Sequence, residues 1–392
     1  MSFGRLGMVI LLLAGCDSPA TDSDAGTSPR DAAVDAGRSV DAAGDTGPSR
    51  DAGARDAGDP DPDSGSDAAM DAARRPPALA DWCMGSDTVI GALASAMEPR
   101  SWVEMPDDSG ALDLDLHYSL LYWSDSAVWD SVERKVHWIG GPGTCCADPA
   151  TYQRLTYDAV EDAWTMEATP FAGSGHAYDG NAFDSERGLH YFSKFHDEVV
   201  RVYDGRTWSD LPEIPFSATP TSGLAFFETD EGSRLVYVGR TGRVALWDGT
   251  RWTQREGAED SPWGTYNNFA EPNPARGLVW MGAGNGGDRV HYAMSAAGEF
   301  RRFADAPISL NNSRALHAYE PVSGNFLVHD IDADVFYEFD PVADTWTRID
   351  DMVDRPSFTR GTRFQVPIPD CGVVLFFEHY RDVRNVYLYR HG

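Results

Sequence analysis

The chain has 392 residues and a formal net charge of −30, with 62 acidic against 32 basic residues. That balance argues against nucleic-acid binding, which needs a basic stripe to neutralise phosphates. The length would hold two or three average domains, so changes of composition along the chain must set the divisions.

Residues 1–15 read as a lipoprotein signal peptide. Arg5 gives a positive start, residues 6–13 an apolar core, and Leu13-Ala14-Gly15-Cys16 closes it. The apolar run is about half of the roughly 20 residues that a spanning helix needs. The closing four residues resemble the lipobox of bacterial lipoproteins, which implies cleavage before Cys16 and lipidation of its thiol. The implied address is the bacterial cell envelope, at the outer membrane or cell surface rather than the inner membrane. The lipid would then be the sole membrane contact.

Residues 16–80 read as a lipidated, disordered linker. Between residues 17 and 80 there is no aromatic residue, and fourteen Asp face six Arg in a background of Ala, Gly, Ser and Pro. Such a segment cannot bury enough apolar surface to offset chain entropy. Its Asp-Ala-Gly and Asp-Ala-Ala units carry like charges that extend a tether.

Residues 81–392 read as all-β, a single six-bladed β-propeller, because a repeat of about 45 residues runs through them. An aromatic and an Asp precede a turn and a Trp at Tyr157-Asp158 and Trp164, Tyr203-Asp204 and Trp208, Trp247-Asp248 and Trp252, and Phe339-Asp340 and Trp346. A degenerate copy has Met294-Ser295 and Phe300. A second landmark, an aromatic or β-branched residue before a polar turn and a strand, recurs at Trp129, Phe183, Phe227, Phe269, Tyr319 and Val366. Short alternating runs bounded by Gly, Asn, Asp and Pro fit four strands per repeat.

The last copy stops at Val386-Tyr387-Leu388-Tyr389 without its fourth strand, whereas Ser101-Trp102-Val103-Glu104 matches a fourth strand with no blade before it. An N-terminal strand completing the last blade explains both, and it removes exposed sheet edges. This rhythm, with Ile139-Gly140-Gly141 in the first copy, resembles kelch repeats and the central domain of galactose oxidase. Only the first copy keeps the paired glycines. The Tyr, His and Cys set of that oxidase is missing, so no cofactor is expected. Scattered His residues lack metal-ligand spacing, so no metal is expected either.

In a propeller, the loops entering the first strand of each blade share one face around the axis. Here they carry Tyr122, Trp123, Asp125, His176, Asp179, Trp263, Tyr266, Asn267, Asn268, Asn311, Asn312, Arg314, Arg360 and Arg363. This set suits a polar or anionic ligand, with aromatics for stacking on sugar rings; a water-filled axis would need polar lining in any case. No catalytic set is assigned, although Asp125 and Asp179 are a candidate carboxylate pair. The preferred function is a binding module for a carbohydrate, peptide or protein partner. The alternative is a polysaccharide hydrolase or lyase in the axial pocket. The chain is expected to be a monomer.

Cys371 falls between the first two strands of the last blade, on the face opposite the entry loops, and Cys83 precedes the closing strand from that same face. A Cys83–Cys371 disulfide is therefore expected. Cys145 and Cys146, in a loop on the entry face, are left to pair with each other.

Overall fold

The computed structural model describes residues 79–85, 87–106, 126–141, 151–172, 177–195, 197–216, 223–229, 232–239, 242–255, 266–284, 288–356, 358, 362–380 and 383–392. Cys16, Cys145 and Cys146 lie outside these residues, as do Tyr122, Trp123, Asp125, His176, Trp263 and Arg360. The structure is six four-stranded antiparallel sheets, one per blade.

After β1 (Ser101–Glu104), the first blade holds β2 (Val128–Asp130), β3 (Lys135–Gly140), β4 (Thr151–Asp158) and β5 (Ala163–Ala172). The second holds β6 (Asn181–Asp184), β7 (Leu189–Ser193), β8 (Val200–Tyr203) and β9 (Trp208–Asp210). The third holds β10 (Gly223–Thr229), β11 (Gly232–Val238), β12 (Val244–Trp247) and β13 (Trp252–Arg255). The fourth holds β14 (Asn268–Asn273), β15 (Leu278–Ala283), β16 (His291–Ser295) and β17 (Phe300–Arg302). The fifth holds β18 (Ala315–Tyr319), β19 (Phe326–Asp330), β20 (Val335–Asp340) and β21 (Thr345–Ile349). The sixth holds β22 (Thr362–Ile368), β23 (Val373–Tyr380) and β24 (Val383–Arg390), with β1 as its fourth strand.

The sequence repeat has a direct physical cause. Its Asp caps the turn between the third and fourth strands: Asp158 Oδ1 accepts from the Val160 and Glu161 amides, and Asp340 Oδ1 from those of Val342 and Ala343. Asp204 and Asp248 do the same in the second and third blades. Side-chain oxygens of this kind mimic a backbone turn. The flanking aromatics are then cross-strand partners, Tyr157 against Trp164 and Phe339 against Trp346, with ring centroids 4.8 and 4.7 Å apart. Such pairs stabilise a sheet face. The degenerate copy keeps the pairing, Met294 opposite Phe300.

Ring closure follows the expected register, with Trp102 opposite Tyr389 and Glu104 opposite Tyr387. Trp102 is buried against Phe336, Phe358, Phe376 and Tyr389, at centroid distances of 4.7 to 5.5 Å.

Ahead of β1 runs a strap that the repeat pattern does not announce. A 3-10 turn over Asp81–Cys83 leads into helix α1 (Val89–Ala96), whose first turn is capped by Thr88 Oγ1 accepting from the Gly91 amide at 3.0 Å. A Cβ at Gly91 would stand 2.5 Å from the Trp82 carbonyl oxygen, so the close approach of turn and helix requires glycine. Ile90 and Ala94 face inward, and Arg390 donates to the Ala94 carbonyl at 2.7 Å. The expected disulfide joins Cys83 to Cys371 with Cα atoms 5.0 Å apart. Next to it the Ala80 amide donates to the Asp370 carbonyl at 2.8 Å. No described helix is long and apolar enough to cross a membrane.

Candidate functional site

The inner strands β2, β6, β10, β14, β18 and β22 surround the axis, and their two ends differ. At the entry end they are knitted together. Asp179 forms a parallel bridge with Gly223, its carbonyl accepts from the Leu224 amide at 2.7 Å, and its carboxylate accepts from the Ala270 amide. Ser126 bridges Gln365 in the same way, and Ser126 Oγ accepts from the Asn181 amide at 3.2 Å.

Beyond this knot the axis widens into a cavity of about 420 Å³ with walls from all six blades. Its apolar surface comes chiefly from Trp129, Phe183, Phe226, Phe227, Tyr319 and the prolines Pro272, Pro274, Pro367 and Pro369. At its inner end Ser126, Asn181, Leu224 and Ala270 are buried, whereas Ser131, Glu186 and Pro274 are exposed. The exposed three belong to turns between first and second strands, so the mouth opens on that face. This is also the face of the strap: Trp82 stacks on Trp129 with centroids 6.1 Å apart, and Asp370 follows the wall residue Pro369.

Among the described residues, charge in the lining is of one sign: it includes Asp184, Glu186 and Glu271 and no Lys, Arg or His. Asp184 sits almost fully buried at the end of β6, and burial pushes its carboxyl above the ordinary range. Its oxygens accept from the Arg187 amide at 3.1 Å and from the Arg187 guanidinium at 3.3 Å. Glu271 Oε1 accepts from the Tyr319 amide at 3.0 Å, which fixes a carboxylate of the fourth blade against the fifth. Beside the mouth, burial raises the Asp370 carboxyl, and Trp129 Nε1 donates to it at 3.0 Å. Tyr319 is 5% exposed, and its hydroxyl finds no hydrogen-bond partner among the described residues. Such a group loses its water without recovering a protein partner.

The entry-loop residues expected from the sequence, where described, occupy the other end of the axis, and none of them lines this cavity. Asp179, Asn267, Asn268, Asn311 and Asn312 are buried. Asn311 and Asn312 bond within the fold: Asn312 Nδ2 donates to the Asn268 carbonyl at 3.5 Å, and Asn311 Oδ1 accepts from the Ser313 amide and hydroxyl at 2.9 and 2.6 Å. Arg314 is exposed and stands 3.8 Å from Asp332. Tyr266 is half-buried, and Arg363 lies in β22 opposite Glu378. Six of the fourteen, Tyr122, Trp123, Asp125, His176, Trp263 and Arg360, fall outside the described residues.

The cavity walls instead use the landmark aromatics Trp129, Phe183, Phe227 and Tyr319, whose recurrence marked the blades. Their position, one per inner strand, was the available signal. His190 and His317 are buried. His190 Nε2 lies 3.0 Å from Asn181 Oδ1, and His317 stacks on Phe269 at 4.2 Å with its pKa lowered by burial to about 3. No group of three potential metal ligands occurs among the described residues.

No protein-family profile and no curated protein matches the chain. A catalytically inactive virginiamycin B lyase from Staphylococcus aureus, solved with quinupristin, shares 10% identity at a TM-score of 0.45, covering 74% of this chain and 88% of that one. An auxiliary nutrient binding protein from Bacteroides thetaiotaomicron shares 9% identity at a TM-score of 0.49, covering 69% of each chain. A protein of unknown function from the same organism shares 14% identity at 0.46, covering 71% of each. The six-bladed assignment rests on the sheet order itself.

Proposed function

We propose that the chain is an envelope lipoprotein, anchored through Cys16, whose propeller is a binding module. It takes a carbohydrate, a peptide or a group presented by a protein partner into the axial cavity. The observation that carries this reading is the cavity itself: about 420 Å³, walled by aromatics from several blades and open on one face. Small-molecule sites are typically concave, mostly apolar and a few hundred Å³ in volume, with a few placed polar groups.

The test is a screen of the full chain against glycan and peptide arrays, followed by turnover assays on each hit. Saturable binding with no change in the ligand supports the module. Cleavage of a bound polysaccharide would replace it with the hydrolase or lyase reading, for which Asp184, Glu186 and Glu271 are the wall carboxylates. Anchoring has its own test: Cys16→Ser should abolish labelling by radioactive fatty acid and release the protein from membranes.

A further inference from the structure

We infer that the axial cavity takes an organic cation with an apolar body, such as an aryl- or alkylammonium group, in preference to a neutral or anionic molecule. This deepens the binding-module reading and rests on it. Three observations converge on that ligand class.

The first is charge. Three carboxylates, those of Asp184, Glu186 and Glu271, belong to the lining, and the Arg187 guanidinium, which is not among the described lining residues, bonds Asp184 at 3.3 Å. Either ion gives up water on entering; an anion would then meet a wall that repels it, whereas a cation offsets that loss with the field of the carboxylates.

The second is ring chemistry. Trp129, Phe183, Phe226 and Phe227 present aromatic surface to the cavity, and the negative face of such a ring attracts an ammonium group. The same pairing is already in use nearby, where the Arg134 guanidinium sits 5.3 Å from the Trp82 ring that stacks on Trp129.

The third is the ratio of volume to charge. A bare metal ion or ammonium would leave most of a 420 Å³ apolar chamber without contacts, and unfilled wall forfeits its dispersion energy. The occupant therefore needs a hydrocarbon body as well as a cationic head.

The test is calorimetric titration of the full chain with three probes of one shape: 4-phenylbutylammonium, neutral 4-phenylbutan-1-ol and 4-phenylbutyrate. The ammonium should bind at least about tenfold more tightly than the alcohol, and the carboxylate should not bind measurably. Glu271→Gln, which keeps an oxygen for the Tyr319 amide, should weaken the ammonium about three- to tenfold and leave the alcohol unchanged. Glu186→Gln, at the exposed rim, should move affinity in the same direction without risk to folding. Equal affinity for ammonium and alcohol overturns the cation inference while a ligand site remains. Binding of an array ligand without any binding of the ammonium overturns the inference and leaves the module intact. No binding in either experiment removes both.

Discussion

Two interfaces of the ring solve the same packing problem with a different mix of chemistry. At the seam, β1 joins segments almost three hundred residues apart using aromatic rings, with Trp102 at the centre of Phe336, Phe358, Phe376 and Tyr389, and a disulfide beside it. Between the first and second blades, which adjoin in sequence, buried polar groups join the ring contacts of Phe192 with Tyr152 and Phe171. Asn181 spans the gap, accepting from the Ile139 amide at 2.9 Å and donating to the Ile139 carbonyl at 3.2 Å. His137 lies beneath it, 2.9 Å from the Arg154 guanidinium at Nδ1 and 3.9 Å from Asp130 at Nε2. A guanidinium only donates, so Nδ1 accepts, and the neutral imidazole carries its proton on Nε2 toward Asp130. The costliest closure in chain entropy is centred on Trp102 and rings that carry no charge at neutral pH, with His329 and His391 packed at its edge. The locally assembled interface depends on histidines staying uncharged.

Four measurements break or sharpen that contrast, from the largest effect to the smallest. Trp102→Ala removes the ring on which the seam core converges and should cost about 3–5 kcal/mol in urea unfolding. A loss under about 1 kcal/mol would show that the closing strand holds by backbone pairing alone. Replacing Cys83 and Cys371 together by Ser should cost about 2–4 kcal/mol, read as a lowered melting temperature that reductant no longer shifts.

Acid should act on the other interface. Burial, followed by the charges of Arg154 and Lys135, lowers the His137 pKa to about 4 against the pull of Asp130. The unfolded chain therefore takes up its proton first. Stability is full above about 6.5, falls as the pH drops from there, and stops falling through this group once the pH passes about 4. His137 accounts for at most about 3 kcal/mol of that loss. His137→Gln should make the fall of melting temperature between pH 6.5 and 4 shallower, the buried His190, His291 and His317 supplying the rest, whereas Trp102→Ala should lower it without changing its slope. The smallest change is Arg100→Gln, which breaks a pair with Asp351 between two largely exposed side chains and should cost under about 1 kcal/mol.

The blades were legible because four of the six repeats encode their own turn: an Asp whose carboxylate caps the third hairpin, between two aromatics that pair across it. Closure was legible for the same reason, since Trp102 matched a fourth strand lacking a blade. The disulfide followed from asking which face each cysteine approaches. The strap was not legible. Helix α1 is one short segment with no second copy to compare, and its burial comes from contacts such as that of Arg390 with Ala94, 296 residues away.

The cavity was hidden by the regularity that revealed the fold. Trp129, Phe183 and Tyr319 recur in register and mark the blades, and recurrence by itself does not separate a packed ring from one that lines a cavity. Whether an inner-strand ring meets a neighbour or an open axis depends on how far six strands diverge below the Asp179 knot, a distance that no single repeat specifies. Polarity drew attention to the entry loops instead. Yet Asn181, absent from the expected set, and Asn312, within it, both spend polar atoms on backbone groups of neighbouring blades.

The position of the disulfide also sets how the molecule carries load. A force drawn through the chain ahead of Leu79 meets the Ala80–Asp370 hydrogen bond and then Cys83 before it reaches α1 or β1. With the bond intact, tension crosses to Cys371 and leaves the closing strand slack. With the bond reduced, the same tension runs along the strap and peels β1 from β24, whose register has four residue pairs. The cavity wall at Pro369 is two residues from Cys371. A pull between an occupant of the cavity and the chain ahead of Leu79 therefore leaves the ring through one turn of the sixth blade, that of Pro369 in the wall and Cys371 in the disulfide.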